Sequence, residues 1–387
     1  MLIIVLGILI ILYLLFTVYF KIKYRFWSIQ PVFHFHNMGY WLNPPGVINE
    51  KKYEKHKKFY NPLVTFKQYH ELNKTEKNEL TELIENNYFK TSLAKYQPGD
   101  KGIHTYFKGH NVNPYISYLN YHYLDKQKMI GAMTSRPCLF WLNDENFNLY
   151  YVDFLCVDKA HRKKNVAPQI IHSHLYHHKN TTSNQVLLFK REGPQTAIVP
   201  FTFYLSYYYD IGHWITPNKI NNNVNIYLVN SKNFKSYYDV HIDLHKKFSC
   251  FSSTYIGNIK ELIEEKVLYI AMFEIDNEFK GVIYMKNAFT KHIDPVTEKK
   301  INMLEVMGSY IESDISETEI YHFLKYAVQL TNKEYYNGLL IENISHNNKL
   351  LKVMFKKEKY KNSFRVGWYL YNYATYPMRS NNILMLQ

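Results

Sequence analysis

The chain has 387 residues, of which 47% are hydrophobic and 17% aromatic. This apolar content excludes a disordered or collagen-like chain, and the length exceeds what one ordinary hydrophobic core accommodates, so we predict two packed lobes. The net charge of +14 indicates an anionic partner such as a phosphate-bearing cofactor, an acidic lipid or a nucleic acid. Cys138, Cys156 and Cys250 form no C-x-x-C pair, so neither a zinc knuckle nor a dithiol redox centre is indicated.

The first segment of the chain has the properties of a membrane span. Residues 2–20 carry no charge, and a helix of that length rises about 28 Å, close to the ~30 Å hydrocarbon core of a bilayer. A cleaved signal peptide would need a positive start and a shorter apolar core. Lys21, Lys23 and Arg25 follow the span, and no cation precedes it. We therefore predict a single-pass transmembrane helix over residues 1–20, with the rest of the chain in the cytosol.

Beyond this anchor, residues 24–45 are rich in aromatic residues and interrupted by prolines, which indicates an extended surface arm, and residues 50–58 form a charged, solvated stretch. In the first half, residue spacing predicts a helix at 75–87, a loop at 97–114, strands at 129–134, 139–143 and 149–157, a helix at 168–178 and a strand at 185–189. In the second half it predicts helices at 259–265, 317–331 and 349–355, and strands at 267–275, 281–287, 301–309, 338–341 and 367–373. The two halves follow a similar order, so we predict two copies of one α+β unit.

The most informative segment is 150–168, where an apolar strand leads into a basic loop and the loop opens a helix. A helix N-terminus presents unpaired N–H groups with a partial positive charge, and Arg162, Lys163 and Lys164 add full charges beside it. Asn165 tolerates a left-handed backbone that lets the chain approach a phosphate closely. This pattern predicts an anion site, although a solvated basic surface has the same composition.

Three segments resemble the N-myristoyltransferase family. The order from Arg162 to Ala167 is similar to the pyrophosphate loop of Gcn5-like acyltransferases, and Phe-Leu-Cys-Val at 154–157 followed by this loop and Pro168 resembles the family signature. Residues 24–32 are similar to the arm that covers coenzyme A in the family. The closing segments, with residues 335–343, 368–373 and 383–387, resemble the family's last strands and its hydrophobic tail.

The resemblance implies an α+β fold in which two pseudo-symmetric Gcn5-like lobes form one saddle-shaped mixed sheet. Residues 21–225 would form the acyl-CoA-binding lobe, and residues 226–387 the peptide-binding lobe with a catalytic C-terminus. The implied reaction moves a myristoyl or other long acyl group from acyl-CoA to the N-terminal glycine amine of a protein, without an acyl-enzyme. Acyl-CoA would be a co-substrate, no prosthetic group is implied, and we predict a membrane-tethered monomer.

The resemblance also assigns roles to residues. The backbone N–H groups of Phe154 and Leu155 would form the oxyanion hole, and the terminal carboxylate of Gln387 would be the general base. Cys156 lies in an apolar strand, which favours a structural role over a nucleophilic one. The residues implied to bind coenzyme A are Tyr24, Arg25, Phe26, Trp27, Leu155, Cys156, Val157, Arg162, Lys163, Lys164, Asn165, Val166 and Ala167.

The chain departs from the family pattern at several positions. The acidic run that follows Asn-Tyr in the family is replaced by residues 89–95, which contain no acidic residue. Asp153 stands where the family has Asn, Lys190 falls at or near a family Thr, and residues 356–364 replace a glycine-rich turn. These departures leave open an acyltransferase for another amine, such as a lysine side chain, and a membrane-anchored acyl-CoA-binding protein without activity.

Two further features receive a structural interpretation. The spacing of His172, His174, His177 and His178 includes an i,i+4 pair, but no Cys or carboxylate completes a zinc site, so we predict a solvated helix face and no metal. The sequence contains no motif typical of DNA or RNA binding, and the best basic cluster already has a cofactor explanation. We therefore predict no nucleic-acid partner.

Overall fold

The computed structural model describes residues 2–51, 58–88, 94–123, 126–143, 145–182, 184–193, 196–215, 217, 223–293, 300–332 and 335–387. Most of the predicted solvated stretch at 50–58, and of the segment 89–95, lies outside the described residues. The helices are α1 (Leu2–Lys23), α2 (Met38–Leu42), α3 (Lys74–Asn87), α4 (Gly99–His104), α5 (Val166–Thr181), α6 (Phe234–His241), α7 (Ile256–Glu264), α8 (Glu317–Leu330) and α9 (Asn347–Lys357). The strands are β1 (Gly46–Val47), β2 (Thr65–Gln68), β3 (Ala94–Tyr96), β4 (Tyr115–Tyr123), β5 (Lys126–Leu142), β6 (Glu145–Val157), β7 (Leu187–Glu192), β8 (Thr202–Asp210), β9 (Val224–Leu228), β10 (Cys250–Thr254), β11 (Leu268–Ile275), β12 (Glu278–Ile293), β13 (Lys300–Ile311), β14 (Gly338–Glu342), β15 (Asn362–Tyr371), β16 (Tyr373–Ala374) and β17 (Ile383–Leu386).

Most of these strands form one large mixed sheet, which confirms the predicted α+β class. Its main path runs β17-β10-β5-β6-β7-β15-β8-β14-β13-β12-β11-β9, and β4 continues from β5 to β2. The pairs β6–β7, β10–β17 and β13–β14 are parallel. On β5, the neighbours Ala132 and Met133 belong to different apolar clusters, one with α3 and one with α5. Because successive strand residues face opposite sides, the two helices cover opposite faces of the sheet.

Local signals fix the helix starts that the sequence predicted. At α3, the Asn73 side chain accepts a hydrogen bond from the Glu76 N–H at 2.9 Å, and the Glu76 side chain accepts one from the Asn73 N–H at 2.9 Å. Ser316 and Glu319 form the same reciprocal cap at α8. Each cap satisfies two backbone N–H groups that a helix start leaves unpaired. The predicted starts at residues 75 and 317 are accordingly within one residue of the observed ones.

The two predicted strands at 129–134 and 139–143 are one continuous strand, β5. Pro137 lies inside this strand although proline cannot donate a hydrogen bond to a ladder. On one edge, however, β5 pairs with β4 up to Ser135 and with β10 from Cys138 onwards. Pro137 lies where one neighbour replaces the other, so its missing N–H leaves no ladder position empty. The predicted loop at 97–114 was also wrong in part, since it contains α4 and a 3₁₀ turn at Thr105–Phe107.

The predicted extended arm at 24–45 is folded into the domain. It contains a 3₁₀ turn at Trp27–Ile29 and the short helix α2. Between them the chain is buried: Tyr371 donates its hydroxyl to the Gln30 side chain at 2.8 Å, and the Val199 N–H donates to the Phe33 carbonyl at 2.7 Å. These partners come from distant parts of the sequence, so local pattern could not reveal them.

The predicted division at residue 225 falls inside β9, which pairs with β11. The chain end then returns to the first half, because β17 pairs with β10 and β10 pairs with β5. The division into two lobes stays a prediction. At the other end, α1 is the one helix among the described residues that is long and apolar enough to cross a membrane. Its single-pass topology also stays a prediction.

The histidines of α5 do not form a solvated face, so that prediction was wrong. His172, His174 and His178 are buried, and His177 is half-buried. His174 faces the sheet, where the Phe66 ring of β2 lies 5.5 Å from the His174 ring. His174 bonds through both ring nitrogens to the hydroxyls of Ser117 and Ser135 at 2.9 Å. Among the described residues, no cluster of three or more His, Cys, Asp or Glu side chains could hold a metal ion.

Buried histidines make the fold sensitive to acid. Burial lowers the pKa of His178 from 6.5 to about 3, and burial with the neighbouring His178 lowers the pKa of His174 as well. Below pH 6.5 these histidines bind protons in the unfolded chain but stay neutral in the folded chain. The free energy of unfolding therefore falls as the pH drops towards the folded-state pKa. At pH 5 a histidine with the pKa of His178 lowers the free energy of unfolding by about 2 kcal/mol relative to pH 7. Urea unfolding of wild type and His178→Phe at both pH values checks this: the variant should lose about 2 kcal/mol less, and an equal loss would contradict it.

Candidate active site

A split between two parallel strands forms the centre of the candidate site. β6 and β7 pair only as far as Val152 and Phe189, and then diverge. On its other edge β6 carries a bulge, because Phe154 and Leu155 together oppose the single residue Met133 of β5. Phe154 has φ +48°, a left-handed conformation that non-glycine residues adopt rarely. A bulge beside a strand split turns backbone N–H groups away from the ladder, which is the arrangement that an oxyanion hole needs.

One of these N–H groups already has a hydrogen-bond partner, the Asp153 side chain. The Phe154 N–H donates to Asp153 Oδ1 at 2.9 Å, and the hydroxyl of Thr134 donates to the Asp153 carbonyl at 2.9 Å. The Phe154 ring is buried against Tyr106, whereas Leu155 is 37% exposed. The bulge is therefore held on both sides, and the Asp153 carboxylate must swing away before Phe154 can donate to a ligand.

The basic loop on the α5 side has the predicted left-handed backbone. Lys163 has φ +62° and Asn165 φ +60°. The Gln169 N–H makes the first helical bond to the Asn165 carbonyl at 3.1 Å, and the N–H groups of Asn165, Val166 and Ala167 come before it. A helix start leaves such groups without helical partners, and Pro168 at the next position has no N–H. The backbone thus forms a concave cluster of donors suited to a phosphate oxygen.

The three cations of this loop have different roles. Arg162 donates to the Asn87 carbonyl at 2.6 Å and to the Val157 carbonyl at 3.2 Å, which ties the loop to the end of α3. Lys163 and Lys164 are exposed at the loop tip. Arg162 therefore shapes the loop, and the two lysines are the cations placed to contact an anion directly.

The aromatic arm approaches the same side of the sheet. The Trp27 ring stacks on Phe189 with 6.0 Å between centroids, and Phe26 is buried in the apolar cluster that also contains Val166. Val157 packs against that cluster. Tyr24 lies further back, where its ring meets Phe20 of α1 at 5.0 Å, and Arg25 is exposed. The fold thus brings Phe26 and Trp27 to the strand split beside the anion loop.

Cys156 takes no part in this arrangement. Its side chain is buried and its thiol donates to the Leu83 carbonyl at 3.6 Å. Burial raises the pKa of the Cys156 thiol to about 12, so the thiolate does not form at neutral pH. This environment supports the predicted structural role.

A second set of charges lies beyond the split. Lys190 of β7 is hydrogen bonded to Glu342 of β14 and lies 3.3 Å from Glu305 of β13. Lys286 of β12 also lies 3.3 Å from Glu305. In sheet order β13 is four strands from β7, which in a flat sheet is about 19 Å. The sheet must therefore curl strongly to bring these side chains together, and the charges lie inside that curl.

Burial and pairing act in opposite directions within this charge cluster. Burial raises the pKa of Glu342 even though Lys190 favours its ionised form. At Glu305 burial also opposes ionisation, but Lys190 and Lys286 overcome it and lower the pKa. The hydroxyl of Tyr204 donates to Glu342 at 2.9 Å. Glu305 is thus ionised, and Glu342 depends on Lys190 for its negative charge.

The chain end lies in a narrow cavity on this side. Gln387 is 6% exposed, and its side-chain amide donates to the Ser252 hydroxyl at 2.9 Å. Arg136 and Lys286 line the same cavity. Arg136 is 1% exposed, and its Nε and Nη1 have no hydrogen-bond partner among the described residues. Its Nη2 is 3.8 Å from Asp153, so Arg136 spans the space between the oxyanion-hole strand and the chain end.

Comparison with known proteins gives this site its context. Residues 47–180 match the family model described as Myristoyl-CoA:protein N-myristoyltransferase, N-terminal domain. A Saccharomyces cerevisiae N-myristoyltransferase with bound myristoyl-CoA is similar in structure, with a TM-score of 0.74, 13% identity, and coverage of 92% of this chain and 94% of that one. Residues 47–180 thus match the N-myristoyltransferase N-terminal domain, and nearly the whole chain shares the fold of these enzymes. Two further yeast N-myristoyltransferase structures, one with myristoyl-CoA and one with myristoyl-CoA and inhibitors, give TM-scores of 0.74 and 0.72, both at 12% identity, covering 93% and 92% of this chain and 91% and 92% of theirs. No curated protein sequence matches this chain.

The comparisons confirm the predicted resemblance to the N-myristoyltransferases, the acyltransferase class and the fold. The roles of individual residues stay predictions. Relative to the resembled N-myristoyltransferase signature, Asp153 replaces Asn, and Asp153 is the residue that lies 3.8 Å from Arg136. Lys190, the other departure, is paired with Glu342 and Glu305. Both departures are therefore accommodated by charged partners inside the fold.

Sequence reasoning missed those partners. Arg136, Glu305 and Glu342 each stand alone in an apolar strand, and such a charge needs a partner if it is buried. The need for a charged partner could therefore be predicted for each residue separately. Which charges meet could not be derived, since the meeting depends on the curl of the whole sheet.

Proposed function

We propose that the chain is a glycylpeptide N-tetradecanoyltransferase, which transfers a myristoyl or similar long acyl group from acyl-CoA to the N-terminal glycine amine of a protein. The observation that carries the proposal is the strand split at Phe154. The anion cradle at the start of α5 follows the split strand directly in the chain, and Arg136, which lies 3.8 Å from Asp153, lines one cavity with the chain end. An acyl donor bound at the cradle and an amine acceptor near the chain end would therefore meet at one oxyanion site.

Donor binding would use the backbone and the two exposed lysines. The phosphates of coenzyme A would accept from the N–H groups of Asn165, Val166 and Ala167, near Lys163 and Lys164. Phe26 and Trp27 would cover the donor at the strand split. The thioester carbonyl would then point to the N–H groups of Phe154 and Leu155, each worth about 3–4 kcal/mol to the transition state.

Transfer would be direct, without an acyl-enzyme intermediate. The Gln387 carboxylate takes one proton from the glycine ammonium, and the neutral amine attacks the thioester carbonyl carbon. A C–N bond forms, the oxyanion is held at Phe154 and Leu155, and the C–S bond breaks to release the thiolate of coenzyme A. The second amine proton leaves with the thiolate or to solvent. Arg136 lines the same cavity, and its Nε and Nη1, which have no hydrogen-bond partner among the described residues, would stabilise negative charge there.

Mass spectrometry of peptide products tests the proposal. Full-length protein with myristoyl-CoA and a glycine-starting peptide should yield a peptide heavier by one myristoyl group, located on the terminal amine. An N-acetylated copy of that peptide should stay unmodified, even when it contains lysine. Modification of the blocked peptide at lysine would assign another acceptor, and tight acyl-CoA binding with no product from either peptide would contradict the proposal.

The anion cradle gives a second expected result. Replacing Lys163 and Lys164 by Gln should weaken acyl-CoA binding about 10- to 100-fold, because two charge-assisted contacts to phosphate are lost. The affinity of the variant should also depend less on salt concentration. Isothermal titration of acyl-CoA at two salt concentrations measures both effects.

A matched control removes the same charge elsewhere. Lys359 and Lys361 are exposed between α9 and β15, away from the cradle. Replacing both by Gln should leave acyl-CoA affinity unchanged. Equal weakening in the two variants would mean that net charge, and not the cradle, attracts the donor.

A further inference from the structure

A small apolar surface projects beside the N-terminal helix. It consists of α2 and the residues just before it. Leu42 is 83% exposed and Met38 57%, and Phe35 is also exposed. Large apolar side chains crowded on one short segment of a soluble surface indicate an interaction site. We call residues 35–42 the apolar knuckle.

The knuckle is attached to the flank of α1. The Tyr13 hydroxyl donates to the His36 carbonyl at 2.9 Å. The His36 ring lies 4.8 Å from the ring of Phe20, which is buried at the base of α1. These contacts fix the knuckle against the last three turns of the helix, between the levels of Tyr13 and Phe20.

That level has a consequence if α1 spans a bilayer. Tyr13 precedes Phe20 by seven residues, and at the α-helical rise these residues are separated by about 10 Å along the axis. The first cations, Lys21 and Lys23, follow Phe20 and mark the cytosolic interface. His36 contacts both residues, so it lies between their levels, at most about 10 Å below this interface and within the ~15 Å of hydrocarbon that one leaflet provides.

The hydrogen bonding of the knuckle suits that environment. The Trp41 indole N–H donates to the Phe35 carbonyl at 3.0 Å. The Met38 N–H donates to the His36 carbonyl and the Asn43 N–H to the Gly39 carbonyl, both at 2.9 Å, and the Tyr376 hydroxyl donates to the Leu42 carbonyl at 3.0 Å. Polar groups in hydrocarbon must be satisfied within the protein. These groups of the knuckle are satisfied within the protein, whereas His36 Nδ1 has no hydrogen-bond partner among the described residues, and the knuckle presents the apolar side chains of Phe35, Met38 and Leu42 outwards.

We propose that the apolar knuckle, residues 35–42, inserts into the cytosolic leaflet beside α1, so that the domain is embedded in the lipid surface and does not hang from a flexible tether. This inference rests on the proposed membrane span. The occupant of the surface is the acyl-chain region of a phospholipid bilayer. The arm that would cover the acyl donor, Tyr24 to Trp27, lies between the span and the knuckle in sequence. The acyl-CoA site would therefore open next to the membrane that receives the lipidated product.

Site-specific photocrosslinking tests the insertion. The full chain would carry benzoylphenylalanine at Leu42, be reconstituted into phosphatidylcholine vesicles, and be irradiated. A residue in hydrocarbon should crosslink to lipid at least about tenfold more than an equally exposed residue in water, given the exclusion of water from the bilayer core. The matched control is Leu63, which is 75% exposed and lies elsewhere on the domain.

A third label separates failure of the knuckle from failure of the anchor. Leu9 lies in the middle of α1 and should crosslink to lipid if α1 spans the bilayer. Lipid adducts at Leu9 and Leu42, but not at Leu63, support the proposal. Adducts at Leu9 alone overturn it while the anchor stands, and adducts at neither overturn both. A protein–protein adduct at Leu42 would assign the surface to a second copy of the chain and would also overturn the proposal.

Discussion

Deleting Leu386 and Gln387 should lower turnover about 10²- to 10⁴-fold, the range over which a positioned general base contributes, while acyl-CoA affinity changes little. The reason is geometric. β17 pairs with β10, and the Gln387 side-chain amide bonds to Ser252, so the end of the chain is held at the cavity that Arg136 and Lys286 also line. Deletion withdraws the carboxylate from this cavity and leaves the α5 cradle untouched. Single-turnover kinetics together with acyl-CoA titration separate the two effects.

The control for this deletion is Gln387→Ala, which removes the side chain and keeps the terminal carboxylate. It should retain most of the wild-type turnover, with a small loss of stability from the missing bond to Ser252. Unchanged turnover in the deletion would dispose of the carboxylate base. A defect as large in Gln387→Ala would show that the side chain, and not the carboxylate, is what matters.

Replacing Lys190 by Met should lower the free energy of unfolding by about 3–5 kcal/mol, because it leaves a buried carboxylate without its cation. Glu305 retains Lys286 as a partner, so the loss falls mainly on Glu342. Burial already raises the pKa of Glu342, and it takes up a proton more readily once Lys190 is gone. Protonation relieves the unpaired charge, so the difference from wild type should shrink as the pH falls. Chemical denaturation at pH 7 and pH 5 measures this.

Two variants calibrate the Lys190 result. Adding Glu342→Gln to Lys190→Met removes the orphaned charge and should restore much of the lost stability. Lys356→Met breaks a pair with Glu317 whose two side chains are both exposed, and it should cost no more than about 1 kcal/mol. If Lys190→Met costs as little as Lys356→Met, the cluster is solvated and does not form the closed curl described above.

Parts of the fold could be predicted from the sequence because local chemistry determines them. The caps at Asn73 and Ser316 mark their helix starts, and the predicted strands at 267–275 and 301–309 match β11 and β13 to within two residues, whereas β12 extends beyond the predicted 281–287 at both ends. The left-handed Asn165 was expected from its tolerance of that conformation, and it marks the start of α5. Each of these features depends on a few adjacent residues.

Other parts depend on contacts between distant segments and could not be predicted. Pro137 does not interrupt β5, because at that point β10 replaces β4 as the neighbouring strand. His174 and His178 of α5 are buried because they face the sheet, where His174 bonds Ser117 and Ser135 and the His178 ring lies 4.4 Å from Tyr150. Arg136 and Asp153 meet across two strands, and Lys190 meets Glu305 only because the sheet curls. Tertiary structure decides all of these, and residue spacing does not encode it.

The candidate site shows the same division. The backbone features at Phe154 and α5 lie in one continuous segment that resembles a known signature, so they could be located in advance. The charged partners beyond the split lie on β5, β12, β13 and β14, and no local pattern connects them. Gln387 could be proposed as the base only through the family resemblance, because a chain terminus has no sequence pattern of its own.

A crystal structure of the protein with a non-hydrolysable acyl-CoA analogue is the most direct test of the central claim. We expect the analogue's carbonyl oxygen to lie about 2.7–3.1 Å from the N–H nitrogens of Phe154 and Leu155, with the Asp153 carboxylate displaced from Phe154. We also expect the Gln387 carboxylate to face the space beside that carbonyl. A complex in which Asp153 keeps its bond to Phe154 while the carbonyl lies elsewhere, or in which the chain end points away, would contradict the account.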